Sequence, residues 1–60
     1  MYVMIKVDWV VVEQDMPYKE SRMVTDVKFT EDYISLIRYG EEVCRIPTVN
    51  LCELHIKPML

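Results

Sequence analysis

From Val3 to Glu13 the chain alternates in a way that only an extended strand satisfies. The odd positions Val3, Ile5, Val7, Trp9 and Val11 are all apolar, and all but Trp9 are β-branched. The even positions are Met4, Lys6, Asp8, Val10 and Val12. A period of two sends the two sets to opposite faces of a sheet, and branched or aromatic side chains fit a pleated, half-buried surface. Wound as a helix, the same residues would set Lys6 beside Val10 and Asp8 beside Val11 and Val12, leaving no apolar stripe. The rest of the chain has to cover the Val3/Ile5/Val7/Trp9/Val11 face.

Little chain is left for that task. Sixty residues make one domain, 1–60. A chain this short buries only about 60% of its unfolded surface, so disulfides, a metal or oligomerisation usually supplement the core. With two cysteines, Cys44 and Cys52, this is not a disulfide scaffold. Apolar residues make up 52% of the chain, more than so small a core needs, and the surplus points to a partner surface. The net charge of -3 argues against nucleic acid as the main partner, because phosphate binding needs a basic face. Lys6 and Asp8 interrupt the apolar N-terminal run and no small-residue cleavage site follows, so no signal peptide is expected. No apolar run is long enough to span a bilayer. The expectation is a cytoplasmic protein with reduced thiols and no membrane association.

Taken in order, Gln14–Ser21 (QDMPYKES) carries Pro17 and several turn-formers and reads as an open loop, with Met16 and Tyr18 folding back to cap one end of the core. Arg22–Thr30 reads as a second strand, Met23, Val27 and Phe29 sharing a face with Thr25 between them. Glu31-Asp32 makes a tight turn. Tyr33–Tyr39 is a third strand, apolar on both faces and so expected to be covered on both. A helix over Phe29–Arg38 is the rival, weakened by Ile34 and Ile37. Gly40 with Glu41 and Glu42 gives a hairpin. Val43–Pro47 is a short fourth strand, ended or placed on an edge by Pro47. Thr48-Val49-Asn50 is a turn or a single 3₁₀ turn. Leu51–Lys57 is a fifth strand with Cys52, Leu54 and Ile56 on one face, and Pro58-Met59-Leu60 is a tail.

Five short strands with mostly short connections favour a mainly β fold, a small antiparallel meander closing into a barrel. The strand order, with Ile46-Pro47-Thr48-Val49-Asn50-Leu51 where a 3₁₀ turn precedes the final strand, resembles SH3-like barrels. That resemblance implies an architecture. The aromatic signature of peptide-binding SH3 domains is absent from the first strand and loop, and no tyrosine follows Pro47. The rival architecture is an open sheet that dimerises through an edge.

Chemistry-bearing constellations are few. Cys44, Cys52 and His55 are the only residues suggesting a metal, but the cysteines are eight apart and Cys52 and His55 face opposite sides of a strand. Buried, inert thiols are the better reading, and no metal or cofactor is expected. A disulfide between them is geometrically possible if their strands are neighbours, although the compartment opposes it. No nucleophile motif stands beside His55, and Glu53 gives it a surface pair instead. With no phosphate loop, triad or nucleophile elbow, an enzyme is not expected.

Two surfaces remain. In a meander, successive turns alternate between the ends of the sheet, so the 14–21 loop and the Gly40 hairpin would gather Glu13, Asp15, Glu20, Glu41 and Glu42 at one acidic end, against Lys19 and Arg22, able to dock a basic partner. Val10, Val12, Ile37 and Tyr39 all fall opposite the proposed interior and would form an exposed apolar interface, unless a bulge flips part of a strand. The leading functional expectation is a non-enzymatic interaction module that self-associates or binds another protein. The alternatives are a small acidic regulator or inhibitor, of the kind encoded by mobile elements or phages, docking on a larger protein, and a weak single-stranded nucleic-acid binder using Tyr18, Tyr33 and Tyr39.

Overall fold

A computed structural model describes residues 2–59 as two three-stranded antiparallel sheets. Six strands follow one another: β1 (Met4–Glu13), β2 (Met16–Val24), β3 (Asp26–Phe29), β4 (Tyr33–Arg38), β5 (Glu41–Pro47) and β6 (Leu51–Met59). The first sheet has the order β2-β1-β6 and the second β3-β4-β5. The expected strand β1 is present and central to its sheet. Its odd face supplies Val7 and Trp9 to the core, where they meet Val24, Ile34, Leu36 and Ile46, with Ile5, Val11, Val27, Cys44, Leu51 and Leu54 packed around them. Val3, expected on the covered face, is exposed.

The strand count is six where five were expected, and the sheets do not close into a barrel. The first reason lies in Gln14–Ser21. This stretch is not a loop: β1 turns directly into β2 through Gln14 and Asp15, with Glu13 opposite Met16 and the pairing running up to Ile5 opposite Val24. Gln14 and Asp15 both have positive φ, 51° and 63°, the conformation that lets a two-residue turn follow the twist of its strands. Met16 and Tyr18 therefore lie exposed on β2 and do not cap the core.

Thr25 supplies the second reason. The expected strand Arg22–Thr30 is broken there, one part going to each sheet. Thr25 holds the corner: its N–H donates to the Ile37 carbonyl at 2.8 Å, its hydroxyl donates to the same carbonyl at 3.2 Å, and that hydroxyl accepts the Tyr39 N–H at 3.0 Å. A corner of this kind folds the second sheet over the apolar face of the first.

Beyond the corner the expectations hold more closely. Thr30–Asp32 turns β3 into β4, closed by Thr30 N–H to the Tyr33 carbonyl at 2.9 Å. β4 is a strand, not a helix, with Ile34, Ser35 and Leu36 all buried. Tyr39 and Gly40, with φ of 51° and 85°, form the β4–β5 turn, so Tyr39 leaves the strand and Glu41 and Glu42 join β5. After Pro47 a single turn is closed by Leu51 N–H to the Thr48 carbonyl at 3.2 Å, and Thr48 ties it to the β3–β4 turn through the carbonyls of Glu31 and Asp32. β6 then returns along β1 and runs on through Pro58 and Met59, which are strand and not tail; Leu60 lies outside the described residues.

Two bulges interrupt the alternation. Val10 faces Glu53 and Val11 faces Leu51, leaving Cys52 unpaired; Leu36 faces Cys44 and Ile37 faces Glu42, leaving Val43 unpaired. Cys52 is consequently exposed instead of sharing the Leu54 face, and Cys44 is half-buried, so the pair are not the buried thiols expected. They lie on strands of different sheets and are free.

Candidate functional site

The sites expected from sequence are dispersed by this topology. Tyr39 packs at the start of β1, its hydroxyl 3.9 Å from the Met4 sulfur and its ring edge-on to Tyr2 at 5.1 Å. Val10 and Val12 lie near the other end of the same strand, roughly 25 Å away at a strand's rise per residue. Ile37 belongs to the second sheet, half-buried between Asp26 and Glu42. The four residues do not form one patch.

The acidic end divides in the same way. Glu13 and Asp15 lie at the β1–β2 turn, Glu20 stands mid-strand opposite Trp9, and Glu41 and Glu42 begin β5 beside the Tyr39–Gly40 turn. Thr25 adds a change of direction that a flat meander lacks. It puts the Tyr39–Gly40 turn at the Met4 end of β1, while Val12 N–H donates to the Asn50 carbonyl at 2.9 Å at the other. Glu42 is further committed to Arg45, which grips it with Nε at 2.7 Å and Nη2 at 3.1 Å. That bond holds the Glu42 carboxyl below its ordinary value, with a smaller contribution from Ser35, and holds the Arg45 guanidinium above its own.

The tyrosines share no face either. Tyr18 is on the inner side of β2, Tyr33 lies under the Arg45 guanidinium at 4.0 Å, and Tyr39 is in the far turn. Arg45, stacked on Tyr33 and paired with Glu42, covers the outer side of the second sheet, where Ser35 is buried.

The first sheet is more open. On its outer face the register lines up three rows across β2, β1 and β6: Met23–Lys6–Lys57, Ser21–Asp8–His55 and Lys19–Val10–Glu53. The second and third rows, with Trp9 and Glu20 beside them, line an open depression of about 440 Å³. Ser21 Oγ donates to Asp8 Oδ1 at 2.6 Å. This bond depresses the Asp8 pKa, and Lys6, Lys57 and His55 depress it further. The sequence of groups, serine to aspartate to histidine, leaves the hydroxyl without an imidazole partner, so the row orders side chains and does not activate a nucleophile. Among the described residues no group of three His, Cys, Asp or Glu side chains is placed to hold a metal, and no helix is long and apolar enough to cross a membrane.

The strand margins were hidden in the sequence. β2 and β6 are the outer strands of the first sheet, each with one side unpaired. Along β2 the middle residues Lys19, Glu20, Ser21 and Arg22 are polar on both faces. Along β6, Leu54 and Ile56 face the core side opposite Trp9 and Val7, yet Ile56 is 40% exposed although Val7 beneath it is fully buried. Their alternation was legible; that nothing covers their far side was not.

No protein-family model, no curated protein and no solved structure matches the chain.

Proposed function

We propose that this protein is a non-enzymatic, cytoplasmic interaction module that works by self-association. The observation that carries the reading is the unfinished first sheet, whose β6 margin is unpaired and flanked by apolar residues that the core does not cover. The surface supports it. The accessible area is 4639 Å², against about 4,100 Å² for a compact monomer of this mass. The radius of gyration is 11.7 Å, against about 10.4 Å for a compact domain of this length. Among the described residues six apolar side chains are buried in the core, whereas Tyr2, Val12, Met16, Phe29, Ile56 and Met59 are among those left outside. A core this small leaves stability to be found in a second chain.

The turn after Pro47 and the return of β6 along β1 favour a kinship in architecture with SH3-like barrels, opened here into two sheets. Docking of a basic partner on an acidic end is less favoured, because Glu13 and Asp15 lie far from Glu41 and Glu42 and the latter is already paired. Sedimentation velocity at roughly micromolar concentration tests the main reading. A reversible oligomer is expected; a strict monomer overturns it.

A further inference from the structure

Resting on that reading, we infer that the partner is a second copy of the chain, joined antiparallel along β6 about a twofold axis through His55. The direction of the backbone groups carries the first step. Residues flanking a two-residue hairpin turn exchange hydrogen bonds, so Glu13 and Met16 do. Alternation then turns the N–H and C=O of odd β1 residues toward β2 and those of even ones toward β6, as the Val12–Asn50 bond confirms. Glu53, His55 and Lys57 stand opposite Val10, Asp8 and Lys6, so their backbone groups are spent on β1. Leu54 and Ile56 point theirs outward, to an unoccupied side.

Antiparallel pairing about His55 makes these groups meet. Leu54 of one copy stands opposite Ile56 of the other, each N–H donating to the opposite carbonyl. His55 faces its own symmetry mate in the close, non-hydrogen-bonded position, with Cα atoms about 4.5 Å apart. The side chains match on both faces. On the inner side Leu54 and Ile56 cover each other across the seam and extend the core. On the outer side Glu53 stands opposite Lys57, twice by symmetry, so opposite charges meet. Within one chain Glu53 and Lys57 are four residues apart along an extended strand and cannot pair. No register shifted by two residues retains both the charge pairing and the apolar pairing. β2 provides no such seam, because Lys19–Arg22 would bury no apolar side chain across it.

Three measurements test the seam. Ile56→Pro removes an N–H that the monomer does not use; it is expected to leave circular dichroism and Trp9 fluorescence native while raising the dimer dissociation constant about 100-fold. Lys19→Pro on β2, the matched control, leaves it unchanged. Reversing Glu53→Lys alone is expected to weaken the dimer roughly 10-fold, and adding Lys57→Glu to restore it to within about 3-fold, since these contacts are intermolecular. In a Cys44→Ala/Cys52→Ser background, His55→Cys is expected to form a disulfide dimer on mild oxidation and Lys19→Cys not to. A dimer indifferent to the charge swap, with His55→Cys cross-linking no better than Lys19→Cys, overturns the β6 seam but leaves self-association standing. A strict monomer overturns both.

Discussion

The two sheets have the same number of strands and the same antiparallel pairing, yet they finish themselves differently. The second sheet is short, and the middle of its central strand is buried. Ile34 and Leu36 of its central strand are buried against the first sheet, and on its outer side Tyr33, Arg45 and Glu42 close over Ser35. In the first sheet β1 is long and its inner face is well covered; both sheets keep an open outer depression, about 440 and 340 Å³, and unpaired outer strands, but the β6 margin of the first also carries exposed Ile56 and Met59. The difference lies in strand length. Four-residue β3 and six-residue β4 fit under the covering side chains, whereas ten-residue β1 and nine-residue β6 outrun what the second sheet can cover. The longer strands are where the chain leaves apolar side chains such as Ile56 and Met59 uncovered.

The sharpest way to break the contrast is to remove a side chain from each part. Leu36→Ala, at a site with no exposure, is expected to cost about 2–5 kcal/mol. A domain of this size has roughly 3–9 kcal/mol in all, so urea titration is expected to find much of the variant unfolded. Ile56→Ala, measured under dilute conditions where the chain is monomeric, is expected to cost under about 1 kcal/mol. Equal losses would abolish the distinction. Thr25→Val probes the joint between the sheets. It strips the Tyr39 N–H of its acceptor and is expected to lower stability by about 1–2 kcal/mol in the same titration.

The two hairpin turns refine the comparison further. Gly40 has φ of 85° and open space around an added Cβ, so Gly40→Ala costs only its backbone preference, about 1 kcal/mol. Asp15→Gly in the first sheet goes the other way and is expected to raise the thermal midpoint, gaining about 0.5 kcal/mol, because the native residue already holds a positive φ. The smallest effect is in acid. Asp8 in the first sheet and Glu42 in the second are held below their ordinary values of 3.8 and 4.5. A carboxyl whose folded pKa is depressed stabilises the fold above its unfolded pKa and loses that contribution as pH falls through the folded one. Stability is therefore expected to drop below about pH 4, and Asp8→Asn with Glu42→Gln to flatten that limb of a pH–stability curve.

What the sequence disclosed follows from how strongly each stretch is patterned. β1 was legible because Val7, Trp9 and Val11 alternate without interruption, and β4 because Ile34 and Leu36 fit no polar-faced alternative. β2 was not legible: an outer strand with exposed Lys19, Glu20 and Arg22 has no apolar period to betray it, and Gln14-Asp15 lacks the glycine that usually marks a two-residue turn. Thr25 was missed as a corner because the one sign of it, apolar Val24 on the face otherwise read as polar, is a single residue; Val24 is in fact fully buried in the core. Cys52 and Val43 each insert one residue into a ladder, which reverses the face of what precedes or follows; the chemistry of a lone cysteine or valine does not announce that. The dispersed interface and acidic end are both consequences of those local events.

The polar margin of β2 has a consequence of its own. A ribbon grows without limit when both its borders accept a neighbour, as a zip with two open rails would. In the proposed seam one rail of the first sheet carries Leu54 and Ile56 and the other Lys19–Arg22, so addition on the apolar rail would use up the receptive border of that sheet. Under the proposed pairing, growth of that sheet would end at a pair, and the same three or four residues that look like an unremarkable solvated edge would keep a greasy little sheet from becoming a fibre.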